Sequence, residues 1–307
     1  FNSECKYTPR SSVPDKEDRH RMSTIAYQTI VSEIAGLCLK AAYNLPEDTV
    51  QAVTRALASE GCDRARFFLN QYLENAAIAA REQLPICQDT GIALYFVERG
   101  EDLRIEGGSL EAAISEGTAK GYQTGCLRKS MVSDPLFLRK NTGDNTPPII
   151  HTKVVERDGL GITLVPKGGG AENMSALAML KPAQGREGVV DFVSRTAIDA
   201  GGNPCPPTIV GVGIGGTFEL CACLAKKALL RDIGTANPDA RYAELEQDIL
   251  ARINDSRVGP QGLGGDTTAF AVHIEYFPRH IACLPVAVNL NCHAARHAHV
   301  FLAPDQS

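Results

Sequence analysis

The chain has 307 residues, 44 % of them hydrophobic and 22 % charged, with a formal net charge of −5 at pH 7. That composition supports a sizeable core and excludes collagen or a wholly disordered chain, and at roughly 100–200 residues per domain it allows up to about two lobes. No apolar run approaches the ~20 residues of a membrane helix, no export signal is recognisable, and the acidic balance argues against nucleic acid as the main partner, so a cytoplasmic protein without a membrane partner is expected.

Residues 1–21 are polar and aperiodic and read as a disordered or non-native leader, with Met22 a natural start. Residues 24–82 read as a helical lead-in packed as a small bundle. TIAYQTIVSEIAGLCLKAAYNL places apolar residues at steps of three and four, and LPEDTVQAVTRALASE starts with proline and acids that suit a helix N-terminus. A glycine-rich α/β part follows over residues 83–300. In it GIALYFVERG predicts a strand and SLEAAISEGTAKGYQTG a helix. PPIIHTKVVERDGLGITLVPKGGG predicts two strands joined at Asp158–Gly159, and ALAML is read as helical. GREGVVDFVSRTAIDAGG is a helix, TIVGVGIGG a buried strand, and TFELCACLAKKALLR and ARYAELEQDILARINDS two more helices. TTAFAVHIEYFPRHIACLPVAVNLNC predicts two strands around a turn at Pro278. Alternating strands and helices place the chain in the α/β or α+β class, and an α/β fold with a mixed sheet is the expectation.

The 10 cysteines are spread over the whole length, unlike a disulfide scaffold in a short secreted chain, and no Cys-x-x-Cys pair marks a zinc ribbon. Cys38, Cys62, Cys221 and Cys223 lie in helical patterns and read as packing residues. Cys87 (LPICQDTG), Cys205 (GGNPCPPT) and Cys292 (NLNCHAARHA) stand apart, among turn formers and polar residues where loops carry function. KGGGAEN could bind an anion through backbone N–H groups, but it lacks the ending of a phosphate-binding Walker loop. Gly211, Gly213 and Gly216 fit a dinucleotide spacing without the acidic residue that should follow; tight strand-to-helix packing is the more ordinary reading. His293 and His297, four apart, could share a helix face beside Cys292 as a zinc site, with His299 close by.

Taken together and in order, LPICQDTG, LRKS, PKGGGAENMSALAMLKP, NPCPPTIVGVGIGGTFE, AKKALLR, GPQGLGGDTTA and PRHIACLPVAVNLNCHAARH resemble the alpha subunit of class I, iron–sulfur fumarate hydratases and of its close relative, L(+)-tartrate dehydratase. The resemblance runs from about Met22 to His299, and makes residues 22–307 one hydro-lyase unit. It implies a [4Fe–4S] cluster on Cys87, Cys205 and Cys292. Three thiolates leave one iron open as a Lewis acid. Asp89 then handles the proton of the leaving hydroxyl, and Gln88 holds substrate. Arg128 clamps a carboxylate, the backbone N–H of Gly169 contacts substrate, and so does His280. The resemblance implies a second, swivelling domain in the single-chain relatives; with fifteen residues following Cys292 here, that domain is expected on another chain. The expectation is a separate beta subunit in an α2β2 assembly. The reaction expected is hydration of fumarate to (S)-malate, with tartrate dehydration to oxaloacetate as the alternative and a non-catalytic zinc or nucleotide-binding protein as a third reading.

Overall fold

In the computed structural model, which describes residues 23–304, two mixed four-stranded sheets stand side by side with helices packed about them. The leader expected over residues 1–21 lies outside the described residues. The mixed α/β class expected from the sequence is what the structure has.

The first sheet is built on β2 (Ile92–Gly100), with β4 (Ile149–Val155) parallel on one side and β5 (Leu160–Lys167) antiparallel on the other. The strands joined at Asp158–Gly159 therefore do not pair with each other; β2 lies between them. A last strand, β10 (Ala298–Leu302), adds antiparallel to β5. On this sheet lies α1 (Tyr27–Tyr43), which buries Ile30, Val31, Ile34, Leu37, Cys38 and Ala41 at steps of one, three and four, the stripe of an amphipathic helix. Beside it is α4 (Leu110–Thr124), capped by Ser109 Oγ accepting from Ala112 N at 3.1 Å. One core joins these two helices to Tyr95, Val97, Leu160, Ile162 and Leu164 of the sheet.

The lead-in is thus not a separate bundle. Its first residues form a short strand, β1 (Thr24–Ala26), parallel to β3 (Arg104–Glu106). Its later helices, α2 (Glu47–Ser59) and α3 (Asp63–Glu82), pack on each other through Val53, Ala56, Leu69 and Tyr72. Ala52 of α2 meets Ile209 and Ala271 in the other half of the molecule. α1 found the first sheet, whereas α2 and α3 pair with each other, so the three do not form one bundle.

The second sheet has the order β6 (Ala176–Leu180), β9 (Leu284–Asn291), β7 (Thr208–Gly216), β8 (Ala269–Arg279). Every residue of β9 is buried, and every residue of β7 but the last, as expected of strands covered on both faces. Val210, Val212 and Ile214 face α6 (Gly185–Asp199) and α8 (Ala240–Asp255). The alternate residues face α7 (Phe218–Ala228). There a Cβ on Gly211 would lie 2.2 Å from Ala225 O, and one on Gly213 would lie 1.9 Å from Cys221 O. The glycine run is therefore the seat of a helix, as the ordinary reading held.

Two local readings are corrected. ALAML is strand β6, not helix: its residues have high helix propensity, but backbone pairing with β9 decides, Ala176 opposite Val288 and Leu180 opposite Leu284. The turn expected at Pro278 comes later, where Cys283 N donates to His280 O at 3.0 Å. β8 runs through Pro278 because it is an edge strand, where a missing N–H is tolerated. Among the described residues no helix is long and apolar enough to cross a membrane.

The close approach of β7 and α7 gives a direct test. Gly213→Ala should destabilise the fold by about 1–3 kcal/mol or more, the usual cost of overpacking, read as a lowered denaturation midpoint.

Candidate functional site

The chain crosses between the two sheets at one seam. Residues 168–175 lead from β5 to β6, and residues 292–297 lead back from β9 to β10. Ile92, just after the CQDTG loop, pairs with Lys167 at the end of β5, and Ile209, just after NPCPP, pairs with Asn291 at the end of β9. Strand ends thus bring Cys87, Cys205 and Cys292 to one seam, where the charge of Cys205 is coupled to those of Cys87 and Cys292. Cys87 and Cys292 pack on one apolar cluster of Ala76, Ala79, Ile86 and Ala294. Burial pushes the Cys205 thiol up, and the charges of Cys292, Cys87 and Asp89 push it the same way. Burial also raises Cys292, against Arg296, the Ala294 N–H and Lys167.

The segment carrying Cys205 is held on several sides. Cys205 itself sits at φ 54°, a left-handed conformation uncommon for a side-chain-bearing residue. Its carbonyl accepts from His293 N at 3.2 Å and lies 2.9 Å from His293 Nδ1, which must carry the proton. The His293 ring stacks on Tyr72 at 3.8 Å. Tyr72 Oη donates to Pro206 O at 3.2 Å and accepts from Gln261 Nε2 at 2.8 Å, and Gln261 N donates to Pro206 O at 2.9 Å. The GPQGLGG loop is therefore a brace for NPCPP.

Asp89 ties the seam together. Its Oδ1 accepts from Gly91 N at 3.0 Å, the Asx turn that DTG suggests, and its Oδ2 accepts from Gly169 N at 2.8 Å. Gly169 opens a single helical turn, α5 (Gly169–Glu172). Gln88 is exposed beside Cys87, whose Sγ lies 3.6 Å from Gln88 Oε1. Arg128 is exposed, on a loop fixed to the CQDTG segment: Thr90 Oγ1 donates to Arg128 O at 2.7 Å. Asn145, fully buried, accepts from Ser130 N at 2.7 Å and donates to Gly91 O at 3.1 Å.

His280 is placed elsewhere. It occupies the exposed β8–β9 turn, and the eight residues of β9 separate it from Cys292, about 26 Å at 3.3 Å per residue. Within one chain it does not join the other residues. The histidine grouping is also corrected. Residues 292–297 form no helix; His293 stacks on Tyr72, and His299 lies on β10 with Nδ1 3.0 Å from Thr163 Oγ1. Among the described residues no three His, Cys, Asp or Glu side chains are grouped to hold a single metal ion.

Sequence reasoning missed the charged groups beneath the seam. Lys167, 3 % exposed, lies 3.3 Å from Glu172 Oε2 without hydrogen-bond alignment. Lys226 Nζ donates to Glu172 Oε1 at 2.5 Å and Asn289 Nδ2 to Oε2 at 2.9 Å. Burial by itself would raise the Glu172 carboxyl, but Asn289, Lys226 and Lys167 outweigh it and bring it down to about 2. Burial pushes the Lys167 ammonium down, with Glu172 opposing. Arg296, 4 % exposed, donates through Nη2 to Asp89 O. Nothing in the linear sequence marks these as buried; KGGG and NCHAARH showed only that polar residues adjoin the glycines and the cysteine.

Fold and site thus define an α/β protein in which loops at the seam bring three cysteines near one fixed carboxylate. The family model described as fumarate hydratase (Fumerase) matches residues 31–301, and the chain belongs to that family. It is 41 % identical over 271 residues to a Methanocaldococcus jannaschii protein provisionally named L(+)-tartrate dehydratase subunit alpha, covering 86 % of this chain and 94 % of that one. It is 31 % identical over 285 residues to the L(+)-tartrate dehydratase subunit alpha of Escherichia coli strain K12, covering 91 % and 93 %.

The Glu172 network sets an acid dependence. Its carboxyl is lower in the fold than its ordinary 4.5, so its contribution to stability is complete above about 4.5 and is lost as pH falls through about 2. Glu172→Gln should be less stable than the parent at pH 7 and lose stability less steeply below pH ~4.5, measured by chemical denaturation across that range.

Proposed function

We propose that this chain is the alpha subunit of a hydro-lyase that adds water to, or removes it from, four-carbon dicarboxylates, with a [4Fe–4S] cluster on Cys87, Cys205 and Cys292. The convergence of those three thiols at one seam carries the reading. The donor set fits a cluster better than an ion. A lone metal needs all its ligands about 2.0–2.3 Å from one point, which no grouping among the described residues meets, whereas a cluster takes its ligands on separate irons. Three thiolates and a cluster also bring negative charge, and the buried cations Lys167 and Arg296 act on Cys292 from beside it.

When bound, such a cluster supplies an iron with an open coordination position, a Lewis acid for a departing hydroxyl. The chain's own residues do the rest. Asp89 is held by two N–H groups, one on each oxygen. Each oxygen keeps a second lone pair and can give or take the proton of the entering or leaving water. Gln88, next to Cys87, orients substrate. Arg128 pairs with a carboxylate through its planar fork, its loop kept in register by Thr90 and Asn145. Gly169 already gives its N–H to Asp89, so its first task is to fix the proton carrier; substrate takes that N–H only when Asp89 releases it.

Hydration of fumarate to (S)-malate is the reaction that the family's description favours. Dehydration of tartrate is the second reading, favoured by the names of the relatives. Those names also support a second subunit. A surface for it is at hand on the loop that continues from Arg128: Leu136, Phe137 and Leu138 are 71 %, 82 % and 81 % exposed. Their backbone N–H groups are all pinned by Asp134, at 2.9, 2.9 and 3.2 Å. A rigid apolar tip flanked by Arg128, Lys129, Arg139 and Lys140 suits an apolar pocket rimmed by acids.

Anaerobic reconstitution with iron and sulfide should give a brown protein with roughly four irons per chain. Cys87→Ser, Cys205→Ser and Cys292→Ser should each lose it, while Cys221→Ser, in the β7–α7 core, keeps it. Colourless wild-type protein would overturn the reading. With the second subunit present, comparing malate and tartrate as substrates decides between the reactions. Changing Leu136, Phe137 and Leu138 together to serine should weaken subunit association at least about tenfold and leave the melting temperature of the isolated chain unchanged.

A further inference from the structure

Arg296 is out of place for an ordinary structural arginine. It is 4 % exposed, on the crossover from β9 to β10, four residues after Cys292. It forms no ion pair with a carboxylate among the described residues. Its Nη2 donates to the backbone carbonyl of Asp89 at 2.5 Å, whereas Nε and Nη1 have no hydrogen-bond partner. A guanidinium taken out of water costs several kcal/mol unless its donors and charge are answered, and two unanswered donors on one buried side chain are unusual. The groups its charge reaches are Cys292, His293 and Tyr122. The His293 Nδ1–H is turned to Cys205 O, and the Tyr122 hydroxyl donates to Thr90 O at 2.9 Å. Cys292 is the member of that set whose sulfur becomes an anion on binding iron.

Resting on the cluster reading above, we propose that Arg296 is a positioning residue of this site. Its unpaired Nε–H and Nη1–H serve the anionic sulfur of Cys292 and the group that sulfur holds, while Nη2–H fixes the backbone of Asp89. One side chain thereby couples the thiolate at the end of β9 to the loop that carries the first cysteine and the proton carrier. Lys167, the other buried cation beside Cys292, has no hydrogen-bond partner for Nζ; it adds charge but, lacking a fork, does not reach the Asp89 loop. Hydrogen bonds and positive charge at cluster sulfurs favour the more reduced, more negative state. Removing them makes reduction harder and the ligand easier to lose.

The test compares wild type, Arg296→Met and Arg296→Lys as full chains, each reconstituted anaerobically and assayed for turnover with the second subunit. The expected result is faster loss of iron to a chelator, by about 10–100-fold in Arg296→Met, and a cluster midpoint potential shifted to more negative values. Arg296→Lys, which keeps charge and loses the fork, should fall between the two. Turnover should fall mainly through kcat, because the lost bond is the one that fixes the backbone of Asp89 itself. If wild type holds a cluster and both variants keep its potential and its iron, Arg296 is only a packing residue and this inference is overturned while the cluster reading stands. If wild type takes up no cluster, the cluster reading itself fails. Should Arg296→Met not fold, as circular dichroism would show, the lysine variant decides: wild-type potential and iron retention in it overturn the proposal, and intermediate values support it.

Discussion

The carboxylate of Asp89 is the bond between the two halves of the seam. One oxygen accepts from Gly91, in the loop that enters the first sheet, and the other from Gly169, in the crossover that leaves it for the second. Hydrogen bonds to a charged group are worth roughly 1.5–3 kcal/mol each, so this one side chain fixes the distance between the two segments. The glycines make the approach possible. A Cβ on Gly91, at φ +76°, would lie 2.7 Å from Lys167 N, and one on Gly168 would lie 3.1 Å from Asp89 Oδ2. Arg296 adds the third segment by donating to the Asp89 carbonyl. The loop that carries Cys87 and the candidate proton carrier is thus tied to the segment of Cys292 by one set of bonds, while the Cys205 segment is held separately through His293, Tyr72 and Gln261.

The fold keeps stability and chemistry in different places. The first core lies between α1, α4 and the first sheet; the second lies between α6, α8 and the second sheet. The seam belongs to neither and is made of loops anchored at strand ends, where side chains can be exposed without opening a core. Cys205, Gln88, Arg128 and Gly169 are all exposed there, while β7 and β9 behind them are buried almost throughout. A site with a rigid floor and an open top is suited to completion by another chain.

Periodicity and turn chemistry carried much of this in the sequence. The helices of the second half read at steps of three and four, the central strands as apolar runs, and the three cysteines by their proline, glycine and polar neighbours. What failed did so where tertiary pairing overrules local preference: ALAML is strand because β9 is beside it, and Pro278 sits within β8 because that strand is an edge. His280 shows the opposite limit. Twelve residues from Cys292 looks close in a sequence, but most of that interval is a strand, and a strand converts count into distance. Asn145, Lys167 and Arg296 were illegible for a further reason: their burial comes from segments far away in the chain closing over them.

Charge makes the same point at the scale of the whole molecule. A net charge of −5 describes a surface that repels a dicarboxylate at long range, and taken alone it would count against an anionic substrate. At short range the local arrangement governs, because charges more than about 10 Å apart in ordinary salt are largely screened. Lys167, Lys226 and Arg296 lie under the seam and Arg128 on the loop above it, with Glu172 already committed to two of them. That leaves positive charge in excess where the thiols converge. A buried cation costs most when unanswered, so the same excess that would draw a dianion also favours an anionic group held on the three sulfurs. On the proposed reading, an anionic group held on the three sulfurs and an incoming dicarboxylate would be two answers to one local surplus of positive charge.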